Sequence, residues 1–202
     1  MLRLRTRVIL VAFALAVFLQ SDALAGTVNV SMFEYDFSPD PAKVKMGDTL
    51  HWTNDGAVAH TTTQDSPLSL WDSGIVSPGG TFDFVLYAAG IYKYHCTFHV
   101  ALGMVAAVGA KPTASPPSGP VGTIFTITVA TIDAPAGFVY DVQKRNPGGS
   151  FQDWMTGIIT KSASFDSTGQ PTGTYQFRSR LRKVSNNGAS GYSPKVPIMV
   201  TP

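Results

Sequence analysis

The sequence predicts an all-β protein made of two β-sandwiches in series, and three observations carry that expectation. Glycine and proline are abundant, 19 and 14 of 202 residues, a turn-rich composition suited to chains of many short strands. Apolar and polar residues alternate in run after run, the period of a half-buried strand, whereas helical periodicity is nowhere convincing. The charges divide unevenly: residues 26–110 carry 8 acidic and 3 basic side chains, and residues 111–202 carry 4 and 9. Such an asymmetry suggests two modules. With 44% hydrophobic and 14% charged residues the chain is globular in composition.

Residues 1–25 read as an export signal. Arg3, Arg5 and Arg7 form a basic start, Val8 to Leu19 an apolar run, and Ala23-Leu24-Ala25 a cleavage site of small residues. The apolar run is short for a membrane span, and no second run of spanning length follows. The mature chain is expected to begin near Gly26 and to be periplasmic or extracellular.

The first module, residues 26–110, divides into short strands between turns. Val28-Asn29-Val30-Ser31-Met32 and Lys43-Val44-Lys45-Met46 alternate, with Phe37-Ser38-Pro39-Asp40-Pro41 as a turn between them. Gly47-Asp48 leads into Thr49-Leu50-His51-Trp52-Thr53, which Asn54-Asp55-Gly56 ends. Phe82 to Leu86 and Ile91 to Cys96 are further strands, separated from the earlier ones by Asp72-Ser73-Gly74 and Ser77-Pro78-Gly79-Gly80. Six to eight such strands make a two-sheet sandwich with a Greek key. Alternation puts Tyr92, Tyr94 and Cys96 on one face and His95 on the other. His51, between inward Leu50 and Trp52, is expected to face solvent.

Residues 111–120, Lys111-Pro112-Thr113-Ala114-Ser115-Pro116-Pro117-Ser118-Gly119-Pro120, have the composition of a semi-extended spacer without a core. The second module, residues 121–202, alternates again in Ile124–Val129, Phe138–Val142, Trp154–Ile159, Ala163–Phe165, Tyr175–Arg182 and Lys195–Val200. It holds no histidine or cysteine and no suggestive acid pair, so it offers no catalytic constellation. Arg178, Arg180 and Arg182 fall on one strand face, opposite Phe177, Ser179 and Leu181. This is an ordinary solvated face or, as the alternative, a contact for an anionic surface. Nucleic acid fits poorly, since no base-stacking aromatics interleave with the charges.

The chemistry concentrates in Tyr94-His95-Cys96-Thr97-Phe98-His99-Val100-Ala101-Leu102-Gly103-Met104. It contains the single cysteine, which has no disulfide partner, and two of the four histidines. A thiolate, two imidazoles and a weak axial thioether suit copper in electron transfer. Cys96, His99 and Met104 supply three such ligands from one loop, and His60 is the candidate for the fourth. A buried structural thiol is the plain alternative for Cys96.

Cys96-x2-His99-x4-Met104 followed by Val105-Ala106-Ala107-Val108 resembles the ligand loop and last strand of the cupredoxins, the blue copper proteins of plastocyanin and pseudoazurin type. Gly90 to Cys96 is similar to the approach strand of that family, and the likeness covers roughly residues 27–110. It implies a Greek-key cupredoxin sandwich that holds one type 1 copper through His60, Cys96, His99 and Met104. In related proteins the axial methionine lies three residues after the histidine, but that position is Leu102 here. Thr61 stands where plastocyanin has an asparagine that ties the ligand loops together. Phe98 replaces a common proline, and His95 takes the place of a surface tyrosine. Tyr175-x-Phe177-Arg178-x-Arg180 with Asn186 to Ser193 resembles the end of a fibronectin type III domain, which implies a second sandwich but no function.

The resemblance implies an exported, monomeric carrier of single electrons between redox partner proteins, not an enzyme, because Met104 fills the axial position. His99 would lie near the surface within an apolar rim of Phe98, Val100, Ala101 and Leu102. Copper binding and delivery without electron transfer is the competing reading.

Overall fold

The computed structural model describes residues 25–202, so the expected export signal lies outside the described residues except for Ala25. The first half contains β1 (Thr27–Phe33), β2 (Asp36–Ser38), β3 (Ala42–Val44), β4 (Thr49–Asn54), β5 (Thr63–Gln64), β6 (Thr81–Val85), β7 (Gly90–His95) and β8 (Val105–Ala110). These strands form two four-stranded sheets, ordered β2-β1-β4-β6 and β3-β8-β7-β5. Two of the pairings, β1 with β4 and β3 with β8, are parallel.

Alternation decides which side chains meet between the sheets. Val30 and Met32 of β1 and Leu50 and Trp52 of β4 are buried, as are Tyr92 and Tyr94 of β7 and Ala106 and Val108 of β8. Across the gap Tyr94 meets Phe37 and Trp52, with ring centroids 4.8 and 5.6 Å apart in edge-to-face geometry. That arrangement suits the charge distribution of aromatic rings. Trp71 closes the cluster against Trp52 and Phe84. On the outer faces, His51 Nδ1 lies 2.5 Å from Asp83 Oδ1 and His95 Nδ1 lies 2.7 Å from Asp65 Oδ1.

The second half adds β9 (Thr113–Ser115), β10 (Ser118–Pro120), β11 (Ile124–Thr128), β12 (Phe138–Arg145), β13 (Phe151–Ile158), β14 (Ser162–Asp166), β15 (Gly173–Lys183) and β16 (Val196–Thr201). One sheet runs β10-β16-β15-β12-β13 and the other β14-β11-β9. Phe125, Ile127, Tyr140, Val142, Phe165, Tyr175, Phe177 and Leu181 are buried between them. Tyr175 Oη donates to the Pro171 carbonyl at 2.8 Å, and in the first half Tyr92 Oη donates to Ala88 O at 3.0 Å. Each bond pins the start of a long central strand to the turn before it.

Residues 111–120 do not form the spacer that their composition predicts. Thr113–Ser115 pairs with β11, and Ser118–Pro120 pairs with β16. The chain passes from one sheet to the other through Pro116 and Pro117, which cannot donate to a ladder and so interrupt it. Proline here marks a change of sheet.

The halves also share backbone hydrogen bonds. Ala89 N–H donates to Val129 O at 2.9 Å, Thr131 N–H to Tyr87 O at 2.8 Å, and Ile91 and Gly191 exchange both their bonds at 2.9 Å. β5 reaches only Tyr94 and His95, so the earlier edge of β7 is open and Gly191 occupies it. Asn186 Nδ2 adds a bond to Pro67 O at 3.2 Å. Beside it a methyl group on buried Gly188 would come within 2.1 Å of the Pro67 ring. Gly188→Ala should therefore overpack this seam and destabilise the protein by about 1–3 kcal/mol. Urea denaturation of the full chain measures that loss.

Candidate metal centre

The loop between β7 and β8 is closed by its own backbone. Cys96 N–H donates to the Met104 carbonyl at 3.1 Å, His99 N–H to Cys96 O at 3.2 Å, and Met104 N–H to His99 O at 3.3 Å. Between His99 and Met104 lies one 3-10 turn, Val100–Leu102. Sequence neighbours Cys96 and His99 are thereby folded toward one another. His60 arrives from outside that loop, on the connection between β4 and β5. Asn54 Nδ2 donates to the carbonyls of Val58 and Val76 at 2.8 Å each, and Gly56 N–H donates back to Asn54 Oδ1 at 3.0 Å. His60 itself exchanges backbone bonds with Val76.

Three of the four expected donors converge. His60 Nδ1 and His99 Nδ1 are 3.1 Å apart, and Cys96 Sγ lies 3.4 Å from His99 Nδ1 and 3.8 Å from His60 Nδ1. Metal–imidazole bonds of about 2.0–2.1 Å put two nitrogens that share one ion roughly 3–3.5 Å apart. The separations here thus fit a common cation, and the donor chemistry, one sulfur and two imidazoles, fits copper. His60 and Cys96 are fully buried, and His99 is half-buried. Burial pushes the His60 pKa down, with the neighbouring His99 acting in the same direction and the Glu34 charge opposing them, a balance that favours the neutral ring. Met104, the fourth, is fully buried at the closing end of the loop.

Around the donors stand residues whose role depends on the fold. Thr61 N–H donates to Cys96 Sγ at 3.3 Å. Its hydroxyl accepts the Thr97 N–H at 2.9 Å and lies 3.2 Å from Thr97 Oγ1. Thr61 therefore ties the two ligand-bearing segments together. Tyr35, which the sequence reading did not single out, has its ring centroid 4.7 Å from that of His99. Glu34 accepts from Ala57 N–H and from Val58 N–H, the latter at 3.2 Å. No local sequence signal announces either residue, because both come from the turn between β1 and β2. Phe98, Val100 and Leu102 are exposed beside His99, as is Val58. His95 points away from the centre, toward Asp65. No second group of three histidine, cysteine or carboxylate donors occurs among the described residues.

The arginines of β15 are neither a free basic stripe nor a plain solvated face. Arg180 Nε and Arg182 Nε lie 3.0 and 2.8 Å from Asp141 Oδ2, and Asp141 is only 2% exposed. Burial works against the Asp141 charge, but the bonds from Arg182, Gly157 N–H and Arg180 outweigh it and hold the carboxyl below its usual pKa. Arg178 binds Gln143 Oε1 at 2.9 Å and stacks over Phe151 and Tyr192. A buried carboxylate cannot remain charged without such partners, which is why sequence position alone misreads these groups.

A model of the copper-binding proteins of the plastocyanin/azurin family matches residues 25–111 of the chain. Chloroplastic plastocyanin of Pisum sativum is 31% identical over 114 residues, covering 50% of this chain and 68% of that protein. Among solved structures, a novel purple cupredoxin from Nitrosopumilus maritimus is 28% identical with a TM-score of 0.37, over 41% of this chain and 97% of its own. The oxidised plastocyanin of Dryopteris crassirhizoma is 22% identical with a TM-score of 0.38, over 42% of this chain and 100% of its own.

Thr61→Val keeps the shape of the side chain but removes the acceptor of the Thr97 N–H. The variant should lose about 1–2 kcal/mol of stability, read from urea denaturation, and should loosen the loop that carries Cys96. Proton exchange at the Thr97 amide should quicken.

Proposed function

This chain belongs to the plastocyanin/azurin family of copper-binding proteins, and on that premise we propose that it is an exported carrier of single electrons. The proposed ligands are His60 Nδ1, His99 Nδ1, Cys96 Sγ and the Met104 thioether. The observation that carries the reading is the convergence of the first three donors within 3.1–3.8 Å in a buried site. Bound copper supplies one-electron exchange between Cu(II) and Cu(I), with the thioether helping to set the potential.

The chain's own part is to hold the donors still and to present one of them. A change of oxidation state is fast when the ligands barely move, and backbone bonds clamp the loop on both sides. Cys96 would bind the metal through its sulfur as a thiolate, and the Thr61 N–H directed at that sulfur at 3.3 Å would support the charge. His99 is the donor nearest to solvent, and exposed Phe98, Val100 and Leu102 surround it. Such an apolar patch suits brief docking of redox partners, with His99 as the electron's exit. The second half meets the first along Tyr87–Ile91 and Pro67. Ile91 lies five residues before Cys96 on an extended strand, roughly 16 Å away, so the His99 rim stays clear of that seam. We read residues 121–202 as a fibronectin type III-like accessory sandwich, and the basic start and apolar run of residues 1–25 as the signal for export.

Absorption of the copper-loaded protein tests this. A strong thiolate-to-copper band in the visible is expected, absent in Cys96→Ser and retained in Met104→Leu with a raised reduction potential. A colourless Cu(II) complex of the unmodified chain would sink the reading.

A further inference from the structure

The His60 ring is fully buried, and its Nε2 has no hydrogen-bond partner among the described residues. An imidazole that binds a metal through Nδ1 carries its proton on Nε2. Metal-bound histidines almost always pass that N–H to a carboxylate, a carbonyl or water, and this outer bond fixes the ring. Here the acceptor has to come from somewhere other than the ligand loop.

One carboxylate stands beside the ring. A methyl group built on Gly56 would lie 2.7 Å from Glu34 Oε1 and 3.1 Å from His60 Nε2. The carboxylate and the imidazole nitrogen therefore flank the same point, and the missing Cβ of Gly56 leaves the space between them open. Glu34 Oε1 already accepts from Ala57 N–H and Val58 N–H, two amides of the segment that delivers His60. Those two amides occupy the lone pairs of Oε1, and of the roughly four lone-pair sites of a carboxylate the two on Oε2 remain for a third donor.

We infer that Glu34 is a positioning residue for the copper centre, fixing the segment Asp55–Ala59 and taking the His60 Nε2–H when Nδ1 holds the metal. The inference rests on the copper reading above. Its consequence is electrostatic as well as geometric. A negative charge next to a ligand stabilises Cu(II) more than Cu(I) and so lowers the reduction potential. Glu34 is exposed on its other side, and solvent screening keeps the effect to the order of tenfold or less in the Cu(II)/Cu(I) preference, about 59 mV at most for one electron.

The test is a redox titration of the visible band in the copper-loaded full chain, comparing the unmodified protein with Glu34→Gln and Glu34→Ala. Glutamine keeps the shape and an acceptor for the two amides but removes the charge, so a purely structural role would leave the potential unmoved. Glu34→Gln is expected to raise the potential several-fold to tenfold in that preference, with the band and the urea midpoint unchanged. Glu34→Ala should raise it as well, weaken copper binding about tenfold or more, and speed hydrogen exchange at the Ala57 and Val58 amides of the copper-free protein. A coloured unmodified protein with Glu34→Gln at the same potential overturns the role of Glu34 alone. A colourless unmodified protein overturns the copper reading and this inference with it.

Discussion

The bond from Cys96 N–H to the Met104 carbonyl is the constraint on which the site depends. It continues the β7–β8 ladder past the point where the strands end, so the intervening loop begins and closes at a fixed width. Within that width His99 turns back over Cys96, and its carbonyl accepts the Leu102 and Met104 amides. The cost of ordering these loop residues is offset by the backbone bonds, because almost every amide that leaves water finds a partner. The cysteine, the histidine and the buried methionine therefore form one rigid unit. Only His60 has to be brought in from outside that loop, on the connection between β4 and β5.

Bringing it in is the work of polar side chains on short segments. Asn54 organises the turn after β4, Thr61 bridges to Thr97, and Glu34 holds the amides at Ala57 and Val58. None of these residues binds a metal in our reading, yet each one limits where a ligand can go. Two imidazole nitrogens 3.1 Å apart have their lone pairs facing each other when both rings are neutral with the proton on Nε2, the tautomer in which both Nδ1 atoms can bind a metal. The folded scaffold must hold that arrangement, and a shared cation relieves it.

The two halves meet through backbone bonds and apolar contacts. The buried apolar residues make a continuous cluster that runs through Ala88, Val129 and Ala130, and the open edge of β7 is completed by Gly191. An exposed strand edge is a hazard for association, and here the second half covers part of it. Within the second half, two of the cations surround Asp141, which reduces the net charge that the arginine face presents to solvent.

The sequence by itself determined the elements whose signal is local. Alternation marks the strands from Ile124 to Val200 that bury Phe125, Phe177 and Leu181, and it marks β1, β4 and β7, because a side-chain period of two follows directly from strand geometry. The spacing of Cys96, His99 and Met104 is legible for the same reason, since all three share one loop. Tertiary structure decided what depends on partners distant in the chain. The parallel pairing of β1 with β4 and β3 with β8, the strands at Thr113–Ser115 and Ser118–Pro120, and the seam at Ile91–Gly191 exist only because another segment offers a matching edge. Glu34 and Tyr35 stand beside His60 and His99 because the β1–β2 turn reaches over the centre. The engagement of Arg180 and Arg182 by Asp141 likewise follows from β12 and β15 being neighbours. A hydrogen bond or ion pair leaves no periodicity in the sequence; its partners are set by which strands lie side by side.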